Sequence, residues 1–358
     1  MSGLHILNVM LGGGLGGVEF AFLRYAHVLQ SLGHQVTGCV TSSAAIAKYL
    51  PTHSATENLV GSFEYSPASL CSAAMLLRRV KPDVILTHGR RAFTTFAAVR
   101  EWTKKDAALV NVLHRQIFTR LTAADRIICV SADIKAAAAR HDIASEKLVH
   151  IPNFITAQRP QSVDRPAGTT PTIGFLGRMV PEKGLDLLIN ALKTVKAAGF
   201  PFKVEIGGDG PQRSGMQSLA AVNGLEHHIV WKGWIEDTAA FYDGVDIVVV
   251  PSRHESFGLV TLDAFDSSKA VLATRTSGSM GIIDHGRNGL LCDIDADSVA
   301  AGLMALIANP ERAAALAQSA QKDAQKYMIP QIGPRLDACL NDAISVRSSA
   351  AVAAAAGY

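Results

Sequence analysis

The chain has 358 residues, 48% of them hydrophobic and 18% charged, with 30 glycines and a net charge of +3. That composition excludes a disordered or collagen-like chain, and the length predicts two domains that each bury a core. Five cysteines, at 39, 71, 129, 292 and 339, form no CxxC pair, which argues against a zinc ribbon or a disulfide framework and for a reducing cytoplasm. No apolar run reaches the roughly 18 residues that a membrane-spanning helix needs. The short stretch Leu4–Leu11 has no charged segment before it and reads as a first strand rather than a signal peptide.

In chain order, strands are expected at Ile6–Met10, Gln35–Val40, Asp83–Thr87, Ala108–Leu113, Arg126–Val130 and Leu148–Ile151, with helical patterns such as Val18–Leu32 and Ala132–His141 between them. Such alternation predicts a parallel sheet covered by helices on both faces. Thr156–Pro171, rich in Pro, Gln, Ser, Thr and Gly, reads as a linker. The alternation then restarts. Strands are expected at Thr172–Leu176, Lys203–Ile206, Ile229–Trp231, Asp246–Val250, Ala270–Ala273 and Leu290–Cys292, and helices at Leu185–Ala198, Gln212–Asn223, Leu259–Phe265, Asp297–Ala308 and Pro310–Lys326. A last helix, Gln331–Ser345, is expected after a break at Pro330, and the Ala-rich tail Ser348–Tyr358 is expected to fray. The predicted fold class is α/β, two doubly wound Rossmann-like domains (1–165 and 166–330) facing across a cleft. A C-terminal helix (331–347) packs back towards the first domain, and a flexible tail (348–358) follows. Ligands of such sheets sit beyond the C-terminal strand ends, so the cleft is the expected site.

Three loops carry candidate chemistry. Gly12 to Gly17 lies between the first strand and the first helix, where glycine N–H groups approach a phosphate and the helix N-terminus adds partial positive charge. Gly12, Gly14 and Gly17 satisfy GxGxxG, yet no Asp or Glu occurs between Glu19 and Glu57 to hold a ribose, which weakens a hydride-transfer reading. Arg178 and Lys183 occupy the matching loop of the second domain and suit a diphosphate leaving group. In Pro251 to Phe265, Glu255 follows an apolar strand. Phe257, Gly258, Leu259 and Val260 open a helix whose N–H groups can meet a phosphate, and Asp263 lies one turn in. Two acids so placed can hold hydroxyls of two sugars.

His114 ends a predicted strand and is a candidate for the site, with His88, at the end of the preceding strand, as its rival. No His/Cys/Asp cluster has metal-ligand spacing. Charge is uneven: residues 1–165 hold 18 Lys and Arg against 11 Asp and Glu, a net of +7, and residues 166–358 hold 16 against 20, a net of −4. Arg90, Arg91, Arg100, Lys104, Lys105, Arg115 and Arg120 suggest an anionic partner for the first half. Arg100 and Lys104 are four apart on a helical face, and an ordinary solvated basic surface is the alternative.

Together these segments resemble the retaining glycosyltransferases of family four, which have the GT-B fold. The resemblance runs through Gly16-Gly17-Val18-Glu19, Gly33-His34-Gln35-Val36, Ile151-Pro152-Asn153-Phe154, Gly177-Arg178 to Lys183-Gly184, Gly207 to Pro211 and the Glu255 segment, which is similar to the family's E-x7-E motif. The chain departs at Asp263, where Glu is usual, at Phe154, where Gly is usual, and at Arg115, where Asp usually follows the histidine.

The resemblance implies an N-terminal acceptor domain and a C-terminal donor domain. The implied reaction moves a hexose from a nucleotide-diphosphate sugar, UDP-linked in preference to GDP-mannose, to a saccharide or lipid-linked acceptor in cell-surface polysaccharide or lipopolysaccharide synthesis. His114, Glu255, Arg178 and Lys183 would be catalytic. Gly16, Gly17, Arg178, Lys183, Glu255, Phe257, Gly258, Leu259, Val260 and Asp263 would bind the donor. The Asp-x-Asp metal signature of the other glycosyltransferase fold occurs as Asp293-Ile294-Asp295, late in the chain, and no metal or other cofactor is expected. A cytoplasmic place is expected, with weak contact to an anionic membrane surface through the first domain and no nucleic-acid partner. A nucleotide-sugar epimerase of the same fold and a non-catalytic nucleotide-sugar-binding module are the alternatives.

Overall fold

The computed structural model describes residues 3–42, 44–50, 55–59, 66–118, 120–156 and 169–355. The chain forms two compact units, Met1–Thr156 with Ile329–Tyr358, and Ala157–Met328. Most of the expected linker, 157–168, lies outside the described residues.

In the first unit β1 (His5–Met10), β2 (Gln35–Thr41), β3 (Ala55–Leu59), β4 (Val84–His88), β5 (Ala108–Leu113), β6 (Arg126–Cys129) and β7 (Leu148–His150) make one parallel sheet in the order β3-β2-β1-β4-β5-β6-β7. Helices α1 (Gly17–Ser31), α2 (Pro67–Val80), α3 (Arg90–Thr103) and α4 (Ala132–Ala138) connect them. β4, β5 and β6 are buried along their whole length, as near-continuous apolar runs are in a sheet covered on both faces. The sequence reading passes over β3, Ala-Thr-Glu-Asn-Leu, because it is an edge strand with only Leu59 buried and so shows no apolar run.

One expectation about the basic surface fails. Arg100 is buried in α3, where its guanidinium pairs with Asp125 and donates to the Ala123 carbonyl, so it is withdrawn from any exposed cationic face. A charge this enclosed is retained because two acceptors meet it. Arg90, Lys104, Arg115 and Arg120 are exposed.

In the second unit β8 (Thr172–Leu176), β9 (Lys203–Gly207), β10 (Ile229–Gly233), β11 (Ile247–Val250), β12 (Ala270–Thr274) and β13 (Leu290–Cys292) form a parallel sheet in the order β10-β9-β8-β11-β12-β13. Its helices are α5 (Leu185–Ala197), α6 (Arg213–Val222), α7 (Thr238–Asp243), α8 (Leu259–Asp266), α9 (Ser277–Met280), α10 (Ala296–Ile307) and α11 (Pro310–Ala324). On α5 the buried residues Leu185, Leu188, Ile189, Leu192 and Val195 repeat at helical spacing. They pack with Val299, Leu303 and Leu306 of α10 against Ile173, Val204, Ile206 and Leu272 of the sheet. Each such side chain contributes about 1.5–3 kcal/mol by leaving water.

The last helix, α12 (Ile329–Ala355), returns to the first unit. The expected break is present, two residues earlier than read: Met328 is extended and the helix starts at Ile329, so Pro330 sits at its second position, where a missing N–H loses no partner. The helix extends beyond the expected Ser345 end to Ala355, through an alanine-rich stretch, alanine being the best helix former. Ile332, Leu336, Cys339, Leu340 and Ala343 line its buried face. Arg335 donates to the His150 carbonyl, Arg126 pairs with Asp342 at 2.5 Å, and Arg347 donates to the Lys105 carbonyl.

Candidate active site

Each sheet reverses its strand order once, between β1 and β4 in the first unit and between β8 and β11 in the second. Ligands of doubly wound folds bind at such switch points. The four helices that follow these strands, α1, α3, α5 and α8, are preceded by Gly16, Gly89, Gly184 and Gly258, none of which supplies a side-chain cap. By contrast α2, α4, α7, α9, α10 and α11 are each capped by a Ser, Asp, Thr or Asn oxygen. Uncapped first-turn N–H groups and the positive helix end remain available to an anion.

Around the switch point of the second unit, Lys183 and Glu255 meet as a half-buried ion pair, Nζ to Oε2 at 2.5 Å, with Ser252 Oγ 3.5 Å from the same oxygen. A lysine ammonium has three protons, so two remain for other acceptors, and the carboxylate keeps unused lone pairs. The two loops are clamped together. Arg253 makes a bidentate contact to Asp186 at 2.6 and 2.8 Å and donates to the Pro181 carbonyl, and its backbone N–H donates to the Glu182 carbonyl. Gly184 is in the left-handed region at φ 64°, and a Cβ there would lie 2.0 Å from the Pro251 carbonyl oxygen. On the other side the Glu255 carbonyl accepts from Gly278 N–H and Ser277 Oγ, and a Cβ on Gly278 would fall 2.7 Å from that carbonyl. Only glycine allows either approach.

Arg178 is exposed and has no side-chain partner among the described residues, so its guanidinium is uncommitted. Leu259 and Val260 are the first two residues of α8, and Asp263 is half-buried at its fifth position. Phe257 is buried with its ring edge-on to Tyr327, so only its backbone can serve a ligand. The structure thus brings Lys183 and Glu255 together and places Leu259, Val260 and Asp263 on the helix that follows. Sequence reasoning assigned no role to Arg253 or Asp186. Their partnership spans 67 positions, and no spacing rule exposes it.

In the first unit Gly16 precedes α1 in extended backbone and Gly17 is exposed, with Glu19 in the first turn. The Glu19 carboxylate lies over the glycine loop, 2.9 Å from where a Cβ on Gly12 would be. Phe154, which departs from the family's glycine, is buried against Tyr25 with centroids 4.9 Å apart, and its carbonyl accepts from Arg24.

His88 and His114 are partners rather than rivals. His88 Nδ1 lies 2.9 Å from His114 Nε2, the rings stack at 5.2 Å, and His88 Nε2 lies 2.9 Å from Asn8 Oδ1. Burial, reinforced by the neighbouring His114, drives the His88 pKa well below its ordinary value. Burial, reinforced by Arg115, takes His114 down to about 3. Both rings therefore stay neutral in the fold. Below the ordinary histidine value of about 6.5 the unfolded chain binds protons that the folded chain refuses, so their stability is complete above that pH and is lost progressively as pH falls towards about 3. For one such histidine the loss at pH 5 is about 2 kcal/mol. Thermal melts between pH 7.5 and 5 are expected to show a smaller fall in Tm for His114→Gln than for the parent. Equal falls would show that His114 titrates normally in the folded chain.

Among the described residues no group of three or more His, Cys, Asp or Glu side chains is placed to hold a metal ion. Asp295 of the Asp-x-Asp sequence caps α10, accepting from Ser298 N–H at 2.7 Å and Ser298 Oγ at 2.9 Å, and Asp293 pairs with Arg275.

Residues 15–159 match the family model described as Glycosyltransferase Family 4, and residues 159–323 match that of glycosyl transferases group 1. The lipopolysaccharide core biosynthesis glycosyltransferase LpsE of Rhizobium meliloti is 29% identical over 240 residues, 65% of this chain and 68% of that protein. LpsD of the same organism is 27% identical over 226 residues, 62% of this chain and 64% of its own length, so the chain spans less than two thirds of that relative. Among solved structures, Anabaena Alr3699/HepE in complex with UDP and glucose matches with a TM-score of 0.82 at 19% identity, covering 94% of this chain and 99% of that one. With both halves matched and two parallel sheets of GT-B type, the chain belongs to the group 1 glycosyltransferases of family 4.

Proposed function

We propose that the protein moves a hexose from a nucleotide-diphosphate sugar, UDP-linked in preference to GDP-linked, to a saccharide or lipid-linked acceptor with retention at the anomeric carbon. The product would belong to a cell-surface polysaccharide or lipopolysaccharide. The observation that carries this reading is the Lys183–Glu255 pair beside the uncapped ends of α5 and α8. The names of LpsE and LpsD, and the UDP and glucose bound to HepE, support the same chemistry.

In the proposed reaction the bond from the anomeric carbon to the diphosphate oxygen breaks, and the acceptor hydroxyl forms the new bond on the same face. Its proton passes to the departing phosphate, so no strong protein base is required. The protein positions the partners and stabilises the charge growing on the leaving group. In this reading Arg178, Lys183 and the N–H groups of Leu259 and Val260 would stabilise that charge, and Gly17 is assigned to the donor as well. Glu255 holds sugar hydroxyls, Asp263 holds the ribose, and His114 orients a sugar hydroxyl. In this reading the charge of Arg178 and Lys183 would do for the diphosphate what a bound metal ion would otherwise do.

Purified protein is incubated with UDP-glucose, with and without a lipopolysaccharide core oligosaccharide. The expected result is acceptor-dependent release of UDP, an α-linked product, and a rate unchanged by EDTA. Epimerised donor without acceptor would replace this reading by the epimerase one, and a strict metal requirement would remove its metal-free feature. Arg90, Lys104, Arg115 and Arg120 extend the proposal to weak docking on an anionic cytoplasmic membrane face, at about 1 kcal/mol per cation. In the same assay that docking appears as faster transfer to a lipid-linked acceptor in anionic than in neutral vesicles at low salt.

A further inference from the structure

The buried polar chain in the first unit has a direction. Asn8, fully enclosed on β1, places Nδ2 3.1 Å from the Phe22 carbonyl of α1. A carbonyl only accepts, so the atom facing it is the amide nitrogen, and the amide oxygen is the one turned to His88. That oxygen also only accepts, so His88 carries its proton on Nε2. In a neutral ring the other nitrogen is then a bare lone pair. His88 Nδ1 therefore accepts, and His114 Nε2 donates to it across 2.9 Å. His114 Nδ1 is left unprotonated, with no partner among the described residues, on a residue that keeps 9% of its surface exposed.

Packing holds the relay in place. The His88 ring meets Tyr25 and Phe22 edge-on at 5.0 and 5.7 Å and stacks on His114. Neither imidazole can turn over without leaving a buried polar atom unpaired, at a cost of about 1–3 kcal/mol.

We infer that Asn8 and His88 are positioning residues that lock His114 in the Nε2–H form, so that its Nδ1 accepts a hydrogen bond from a ligand hydroxyl. An unprotonated phosphate or carboxylate oxygen would meet lone pair with lone pair there and is disfavoured, so the group taken at this point is a sugar hydroxyl. This functional consequence rests on the transferase reading; the tautomer does not.

The test is ring nitrogen NMR on the 15N-histidine-labelled protein at neutral pH, with the His114 signals assigned by their loss in His114→Gln. The expected result is a protonated, pyrrole-type Nε2 and an unprotonated, pyridine-type Nδ1 for His114. The opposite pattern, or an average of the two forms, overturns the proposal. His88→Leu removes the relay while keeping an apolar filler. It is expected to convert His114 to a tautomer mixture and to lower kcat for transfer from UDP-glucose by roughly 10- to 100-fold, with KM for the donor little changed. A scrambled tautomer with unchanged kcat overturns the positioning role. Should His88→Leu fail to fold, the spectrum of the unaltered protein still decides the tautomer. Absence of transfer by the unaltered protein counts against the transferase reading alone.

Discussion

Replacing Lys183 by alanine is expected to lower turnover by about 100-fold or more, the scale of losing one preorganised donor to a developing negative charge. Arg178→Ala is expected to do the same, and the two variants separate cleanly on stability. Lys183 is tied to Glu255 at 2.5 Å in a half-buried setting, and its removal strands that carboxylate. A cost on the order of 1 kcal/mol follows, between the values for exposed and buried pairs. Arg178 is exposed and uncommitted among the described residues, so its loss leaves stability within about 0.5 kcal/mol. Rates under saturating UDP-glucose, measured beside thermal melts, check both statements. Near-normal turnover in both variants would remove the leaving-group assignment. Loss of activity in Lys183→Ala alone would restrict it to Lys183, beside the segment that Arg253 clamps.

The two sheets were legible because apolar runs such as Ile247–Val250 and Ala108–Leu113 alternate with helical periodicity, which a parallel sheet with two covered faces requires. The edge strand β3 was not, since an edge position leaves most of its residues in water. Within the candidate site, Lys183 and Glu255 were legible separately from loops that follow strand ends. Their pairing was not, because it depends on β8 and β11 being neighbours across the switch point. The histidines illustrate the same limit. His88 pairs in register with Val112 on the adjacent parallel strand, so His114, two residues further on, arrives beside it. Read one strand at a time, the two residues compete for one role. Read across the register, one holds the other. Arg253 and Asp186 form the least legible feature, since a clamp between two loops leaves no periodic trace in the chain.

Glu255→Gln and Asp263→Asn are expected to fail in different steps. The glutamine is nearly isosteric and removes only charge. Sugar hydroxyls lose their strongest acceptor, and hydrogen bonds to a charged group are worth about 1.5–3 kcal/mol, so transfer falls by roughly 10- to 100-fold. The same change replaces the ion pair that Lys183 makes with Glu255 by at most a neutral hydrogen bond, so its ammonium is held less tightly and turns more readily to phosphate oxygens. UDP affinity is therefore expected to hold or to rise slightly. Asp263 sits on the fifth residue of α8, one turn beyond the N–H groups of Leu259 and Val260. If its carboxylate holds the ribose, the asparagine keeps one acceptor and loses the charge, and UDP binding weakens by about 1–2 kcal/mol, roughly 10-fold. Calorimetric titration of each variant with UDP, and with GDP as the competing base, gives the affinities, and the transfer assay gives the rates. Weaker UDP binding in Glu255→Gln with normal binding in Asp263→Asn would exchange the two roles, and equal binding in both would take Asp263 out of the donor site.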